Sequence, residues 1–318
     1  MSVRRKACYI ALMAWALFVS GCSTGRMICG FALKPGAIMQ SLENTRSGMD
    51  RRFPGVMEWY DSLRNEGVFR DTMIVKEGGV RLHAVYAGCE NAVGTAIIIH
   101  GYISNHISML HLARMYRDSI GFNVLLPDLQ YHGLSGGRYA QMGWNDRLDI
   151  KRWVAVAHEL WNDDFMLVCG VSMGAATTMM LSGEPDLPDY LRAFVEDCGY
   201  TSVWDELEDI RSRTSFTEKN LEKASEFCAR KYGWDFREAS SVNQVAKCDR
   251  PMLFIHGSSD DVVPSRFVYE CYEAKTLGYK EIWVAPNTVK HTYSFKDHPD
   301  EYLAHVRGFI EKARHFHQ

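Results

Sequence analysis

No long run of lysine or arginine interrupts the body of this 318-residue sequence, and its formal net charge is −3. A nucleic-acid partner would require a basic face, so none is expected. None of the twelve histidines falls in an H-E-x-x-H pattern, and none of the nine cysteines forms a C-x-x-C pair. A resident metal is therefore not expected. No G-x-G-x-x-G follows a strand-like run, so no dinucleotide cofactor, and no cofactor of any kind, is expected. Internal repeats and low-complexity tracts are absent, which argues against a solenoid. What is left is ordinary globular composition, 47% hydrophobic and 24% charged, in a chain long enough for one large domain or two small ones.

The N-terminus departs from that average. Residues 1–22 read MSVRRKACYIALMAWALFVSGC, with Arg4, Arg5 and Lys6 ahead of an apolar stretch from Ala7 to Val19 and then small residues. This is the pattern of a secretory signal, and its apolar part is too short for a comfortable membrane span. The end, V-S-G-C, resembles a bacterial lipobox. That resemblance implies a lipidated Cys22 as mature N-terminus, and an exported protein anchored to a membrane on its periplasmic or cell-surface side. A signal anchor, or a cleaved signal with a chance cysteine, is the alternative. With Cys8 in the signal and Cys22 acylated, seven cysteines are left: Cys29, Cys89, Cys169, Cys198, Cys228, Cys248 and Cys271. An odd number argues against a complete disulfide framework. Export permits one or two bonds, and spacing does not select the pairs.

Residues 23–50 read as a tether leading into an amphipathic helix, and 54–70 as a further helix. This extension is expected to pack on the main domain, 71–318. TMIVKEGGVRLHAVYAG gives two strands about Gly78-Gly79. Strand-like runs then follow at 95–100, 122–127, 165–169, 192–197, 251–256 and 280–285. They alternate with helical stretches at 104–119, 144–160, 173–183, 265–277 and 300–314. Continuous apolar strands of this kind suit a mostly parallel central sheet with helices on both faces, so the class is α/β. The connection between the strands at 192–197 and 251–256 exceeds fifty residues and is rich in helix formers. It is too long for a structureless loop and predicts a helical cap insertion over about 201–250.

FMLVCGVSMGAATTMM (165–180) places Ser172 between a buried strand and a helix of small residues. A G-x-S-x-G pentapeptide arises by chance in roughly one chain in ten of this length, so its setting must carry the reading. A nucleophile elbow needs that setting, because glycines permit the sharp turn and let the helix pass close to the sheet. A serine hydroxyl also needs a base, an orienting carboxylate and donors for the oxyanion. LFIHGSSDDVVP delivers Asp260 and Asp261 beyond a strand end, and His291 follows the final strand. The chain order Ser172, Asp260, His291 is the one expected of an α/β-hydrolase. Asp197 is the runner-up carboxylate and Asp128 a weaker rival. His298 reads as a surface residue and His100 as a structural one. The oxyanion donors are expected to be the backbone N–H groups of Met173 and Tyr102, with Gly101 allowing close approach.

The segments IIIHGY, LLPDLQYHGLSGG, GVSMGA and FIHGSSDDVVP, with the late His291, resemble the α/β-hydrolase superfamily over roughly residues 72–314. H-G-x-x-D-x-x-V-P falls on His256 to Pro264, and the resemblance assigns the acid to Asp260 rather than Asp261. MGWNDRLDIKRWV (142–154) is similar to a bacterial serine-aminopeptidase-like subgroup of the hydrolase-4 type. Asp146, Arg147 and Asp149 within it read as a structural ion-pair cluster. QYHG stands where relatives often carry R-G-H-G, which puts the anchoring of that loop in question and leaves the triad untouched. The activity implied is hydrolysis of a carboxylic ester through an acyl-enzyme. The same triad acting on a peptide or amide is the alternative, and a non-catalytic surface binding protein is the outlying one. The partner is then a small ester or a short peptide. An aminopeptidase would need an acidic group for the substrate's amino terminus. Glu206, Glu208 and Asp209 are available, but they read as helix-surface charge.

Overall fold

In the computed structural model, residues 21–288 and 290–316 are described. The signal segment expected over 1–22 lies outside them, save for two residues that open the first helix. Among the described residues no helix is long and apolar enough to cross a membrane.

Three helices come first: α1 (Gly21–Leu33), α2 (Leu42–Arg52) and α3 (Val56–Asn65). The stretch read as a tether is therefore helical from its start. Gly25 explains why: a Cβ there would lie 2.5 Å from the main-chain oxygen of Lys223, so α1 depends on a tight seat against another helix. The helix expected over 54–70 is shorter than expected. Gly67, at φ 74°, ends it, and Phe69 opens β1 (Phe69–Val75) while packing on Trp59 and Tyr60.

β1 pairs antiparallel with β2 (Arg81–Ala87), and β2 pairs antiparallel with β4 (Asn123–Pro127). β4, β3 (Thr95–Ile99), β5 (Met166–Val171), β6 (Leu191–Asp197), β7 (Met252–Gly257) and β8 (Lys280–Ala285) run parallel. The sheet order is β1-β2-β4-β3-β5-β6-β7-β8, the mostly parallel α/β-hydrolase architecture expected from the sequence. Every residue of β3, β4 and β5 is buried. Ile97, Ile99 and Val168 enter one apolar core, while Ala96, Ile98, Leu167 and Cys169 enter the other. Burial on both faces is why these strands read as unbroken apolar runs.

The helix expected over 104–119 is three pieces. A 3-10 turn over His106–Met109, capped by the Asn105 side chain, leads into α4 (Leu110–Arg114), which runs on as a π-helical turn over Met115–Ile120. Gly121 in the left-handed conformation closes it. α5 (Asp146–Trp161) and α6 (Met173–Ser182) flank β5 in the chain. Between β6 and β7 stand α7 (Val203–Ser212), α8 (Glu218–Tyr232) and α9 (Ser241–Val245). A capping box from Thr217 and Asn220 starts α8, and Gly233 ends it. α10 (Arg266–Ala274), α11 (Ser294–Asp297) and α12 (Pro299–His315) complete the chain. Ser172, Asp260, His291 and the loop after β3 all lie beyond the C-terminal ends of parallel strands, where open α/β sheets form their sites.

Candidate active site

Ser172 sits between β5 and α6 with φ 59° and ψ −121°. A non-glycine residue held there carries about 1–3 kcal/mol of strain, which its surroundings must sustain. They do so by close packing. A Cβ on Gly170 would collide with the Gly174 carbonyl, and one on Gly174 with the carbonyl of Ile99. The Ser172 amide donates to Asp197 O at 2.9 Å, which pins the turn to β6. A Cβ on Gly101 would stand 3.2 Å from that of Ser172, so this glycine brings the loop after β3 against the serine.

His291 links the serine to a carboxylate. Its Nε2 lies 2.7 Å from Ser172 Oγ, and its Nδ1 lies 2.7 Å from Asp260 Oδ2. Asp260 Oδ1 accepts from the amides of Val262 (2.8 Å) and Val263 (3.0 Å), which fixes the carboxylate. The His291 amide donates to Asp261 Oδ1 at 3.2 Å, so the two adjacent acids have separate tasks. The Asp260 side chain is 1% exposed and that of His291 15%, leaving only the imidazole open to a ligand. Burial opposes charge on His291, but the Asp260 hydrogen bond and charge outweigh it and raise its pKa above the ordinary imidazole value. Burial likewise works against the Asp260 charge, and His291 outweighs it, holding that carboxyl below its ordinary range. With Nδ1–H donating to Asp260, Nε2 accepts from the Ser172 hydroxyl, the arrangement that can take a proton from an attacking oxygen.

The rival acids are occupied elsewhere. Asp197 is buried, accepts from Ser294 Oγ at 3.2 Å, and is pushed up to about 7 chiefly by that burial. Asp128 accepts from His106 N (2.8 Å), His106 Nδ1 (3.0 Å), His83 Nδ1 (3.0 Å) and Leu134 N (3.0 Å). It thereby anchors the loop that QYHG had put in question. His100 accepts from Leu129 N through Nε2 and donates from Nδ1 to Gly101 O, a structural role as expected. His298 hydrogen-bonds Pro286 O through Nε2. His83, His106 and Asp128 are the right types to hold a metal, as are Cys198, Asp260 and His291, but in each set the histidine nitrogens already bond the carboxylate.

Asp146 and Asp149 share the Gln141 amide (2.9 and 3.1 Å), and Lys76 pairs with Asp149 at 2.7 Å. Burial, then the Asp149 charge, pushes Asp146 up to about 7. Arg147 turns the other way, onto the Trp144 ring and Glu184. The expected single cluster is two.

Two features were not legible in the sequence. The extension braces the loop after β3: Tyr102 Oη donates to Ala32 O (2.6 Å), Gln40 N to Ile103 O (2.9 Å), and Asn105 Nδ2 to Thr45 Oγ1 (2.8 Å). Glu206, read as surface charge, is 7% exposed, and its Oε2 is buried without a hydrogen-bond partner. Burial pushes it up to about 7, while the charge of His291 pulls it down, so it lies within electrostatic reach of the imidazole. The signal was present: Val203, Trp204 and Leu207 form the apolar stripe of α7, and Glu206 falls within it. Glu208 and Asp209 are paired with Arg211 and with Arg213 and Arg266, as helix-surface charges should be.

Fold and site define a serine hydrolase, an esterase or a peptidase. Residues 128–313, more than half of the chain, match the prolyl oligopeptidase family, and the chain belongs to that family. It is similar to protein YqkD of Bacillus subtilis (strain 168), described as uncharacterized, with 27% identity over 73% of this chain and 76% of the relative. Among solved structures it is similar to the Pyrococcus furiosus esterase Pf2001, with a TM-score of 0.61, 22% identity, and coverage of 79% of this chain and 95% of that one. It is also similar to the Pyrococcus horikoshii acylaminoacyl peptidase, with a TM-score of 0.55, 16% identity, and coverage of 79% of this chain and 43% of that one.

Proposed function

We propose that the protein hydrolyses a carboxylic ester through an acyl-enzyme, with Ser172 as nucleophile, His291 as general base and then acid, and Asp260 as the group that holds the imidazole tautomer. The observation that carries this reading is the continuous hydrogen-bonded line from Asp260 through His291 to Ser172. Ser172 Oγ attacks the carbonyl carbon as His291 Nε2 takes its proton. The amides of Met173, first in α6, and of Tyr102 receive the negative oxygen, each donor worth about 2.7–4 kcal/mol in acyl transfer of this kind. The imidazolium returns its proton to the leaving alkoxide, and water repeats the sequence to free the acid. The match to an esterase over nearly its full length supports the ester. The insertion that carries α7 to α9 serves as a cap, bringing Glu206 within electrostatic reach of His291.

Glu206 also favours a second reading, hydrolysis of an aminoacyl amide or short peptide. A buried carboxylate oxygen without a hydrogen-bond partner, within electrostatic reach of the base, is a seat for a protonated amine. Comparing kcat/KM for aryl esters of graded acyl length with that for aminoacyl anilides separates the two. Faster turnover of uncharged esters, with kcat/KM on the pH plateau unaffected by Glu206→Gln, supports the ester. Faster turnover of anilides, lost in that variant, overturns it.

Assignment to the hydrolase-4 subgroup rests on residues 142–154. Export with a lipid on Cys22 rests on residues 1–22. Metabolic labelling with a fatty acid tests the anchor: label is expected on the intact chain, and label that survives Cys22→Ala contradicts it.

A further inference from the structure

The seam between α1 and α8 has three fixed points. At Gly25 the backbones touch, since a Cβ there would lie 2.5 Å from Lys223 O. One turn further on, Cys29 of α1 and Cys228 of α8 face each other across the seam, each thiol within interaction range of the other. At the far end, the rings of Tyr139 and Tyr232 lie 4.1 Å apart, and Ala140 N donates to Leu33 O at 2.7 Å. The three points advance together along both helices, so α1 and α8 run parallel, with Cys29 and Cys228 in register. Both cysteines are fully buried, and both belong to one apolar cluster with Leu221 and Ala224. Two other thiols have different partners: Cys248 Sγ donates to Arg250 O, and Cys89 Sγ to Arg117 O.

We infer that Cys29 and Cys228 are a modification site, a pair placed to form an intrachain disulfide that staples the N-terminal extension to the insertion between β6 and β7. The oxidant is an organic disulfide, supplied as a small molecule or by a thiol oxidoreductase. One cysteine thiolate attacks that disulfide, forming a mixed disulfide and releasing one thiol. The second thiolate then attacks the protein sulfur of the mixed bond, closes Cys29–Cys228, and releases the second thiol. Two thiol protons leave the protein and appear on the two released thiols. α1 already holds Tyr102 and Ala140 by their hydrogen bonds to Ala32 O and Leu33 O. The staple therefore fastens the insertion, the loop after β3 and the segment around Ala140 to one helix. The inference does not depend on the proposed hydrolysis.

The full chain is treated with oxidised glutathione, once folded and once during refolding from denaturant. It is then alkylated in denaturant and digested with and without reductant. The expected result is a peptide pair joining Cys29 to Cys228, lighter by two hydrogens and separated by reductant. The oxidised chain is expected to melt on the order of 5–10 °C above the reduced one. Cys29→Ser and Cys228→Ser each remove both the cross-link and the oxidant-dependent rise, and the reduced double variant keeps wild-type turnover. Recovery of both cysteines alkylated after both treatments, a cross-link to a different cysteine, or equal melting of oxidised and reduced chains overturns the inference.

Discussion

Two buried carboxylates in this molecule each hold histidine, and they differ in what the histidine touches next. Asp128 gathers His83 and His106, and His83 passes on to another carboxylate, Asp71, at 2.8 Å. Asp260 holds His291, which passes on to the hydroxyl of Ser172. In the first cluster every ring contact ends on a group that only accepts, so the cluster is an ion-pair anchor for two loops. In the second the far nitrogen faces a group that can give up a proton. The glycines around the two clusters differ accordingly. A Cβ on Gly133 would collide with the Asp128 carboxyl, sealing it, whereas Gly101 brings a loop up to Ser172. An acid–histidine pair is thus common structural material, and the third partner and the open face decide its use.

Substitutions that treat the two clusters alike should give opposite outcomes. Ser172→Ala is expected to have the largest effect, lowering kcat on the order of 10⁶-fold with the fold intact, read by steady-state kinetics and circular dichroism. Asp260→Asn should lower kcat by about 10⁴-fold, because the imidazole then loses the partner that fixes its tautomer. The matching change in the other cluster, Asp128→Asn, should instead cost about 3–5 kcal/mol of stability in urea titrations, since it leaves buried His83 without that counter-charge. Turnover per folded molecule should change far less than in Asp260→Asn.

The Asp128 cluster also carries a pH signature. Burial works against the Asp128 charge, but the histidines hold its carboxyl far below the ordinary range. That contribution is full above the unfolded carboxylate value, about 4, and is lost as pH falls through the folded one. Burial opposes charge on His83, but Asp128 and Asp71 raise it. That contribution is full below about 6.5 and is lost as pH rises through the folded value. Stability should therefore be greatest between these limits, and Asp128→Asn should flatten the profile at both ends. The smallest predicted effect belongs to Glu206→Gln. Its charge is one of those raising His291, so removing it should move the acid limb of kcat/KM to lower pH.

The α/β class and the meeting of Ser172, Asp260 and His291 were legible because each residue follows a strand-like run: β5 and β7 are fully buried, and β8, at the sheet's edge, still carries Ile282, Trp283 and Val284. The N-terminal helix was not. GCSTGRMICGFAL contains glycines that each weaken a helix by about 1 kcal/mol relative to alanine, so on its own it reads as a tether. Gly25 is what lets α1 reach α8, and a partner some two hundred residues away cannot be seen in local pattern. Glu206 was hidden for a related reason. A glutamate on a helix is ordinarily solvated, and only the stripe of Val203, Trp204 and Leu207 around it reveals the buried face.

The central claim is that Ser172, activated by His291, is the nucleophile. A fluorophosphonate probe followed by peptide mass spectrometry tests it directly. Covalent label on the Ser172 peptide, absent in Ser172→Ala and strongly slowed in Asp260→Asn, is the predicted result. Label that persists in Ser172→Ala would contradict it.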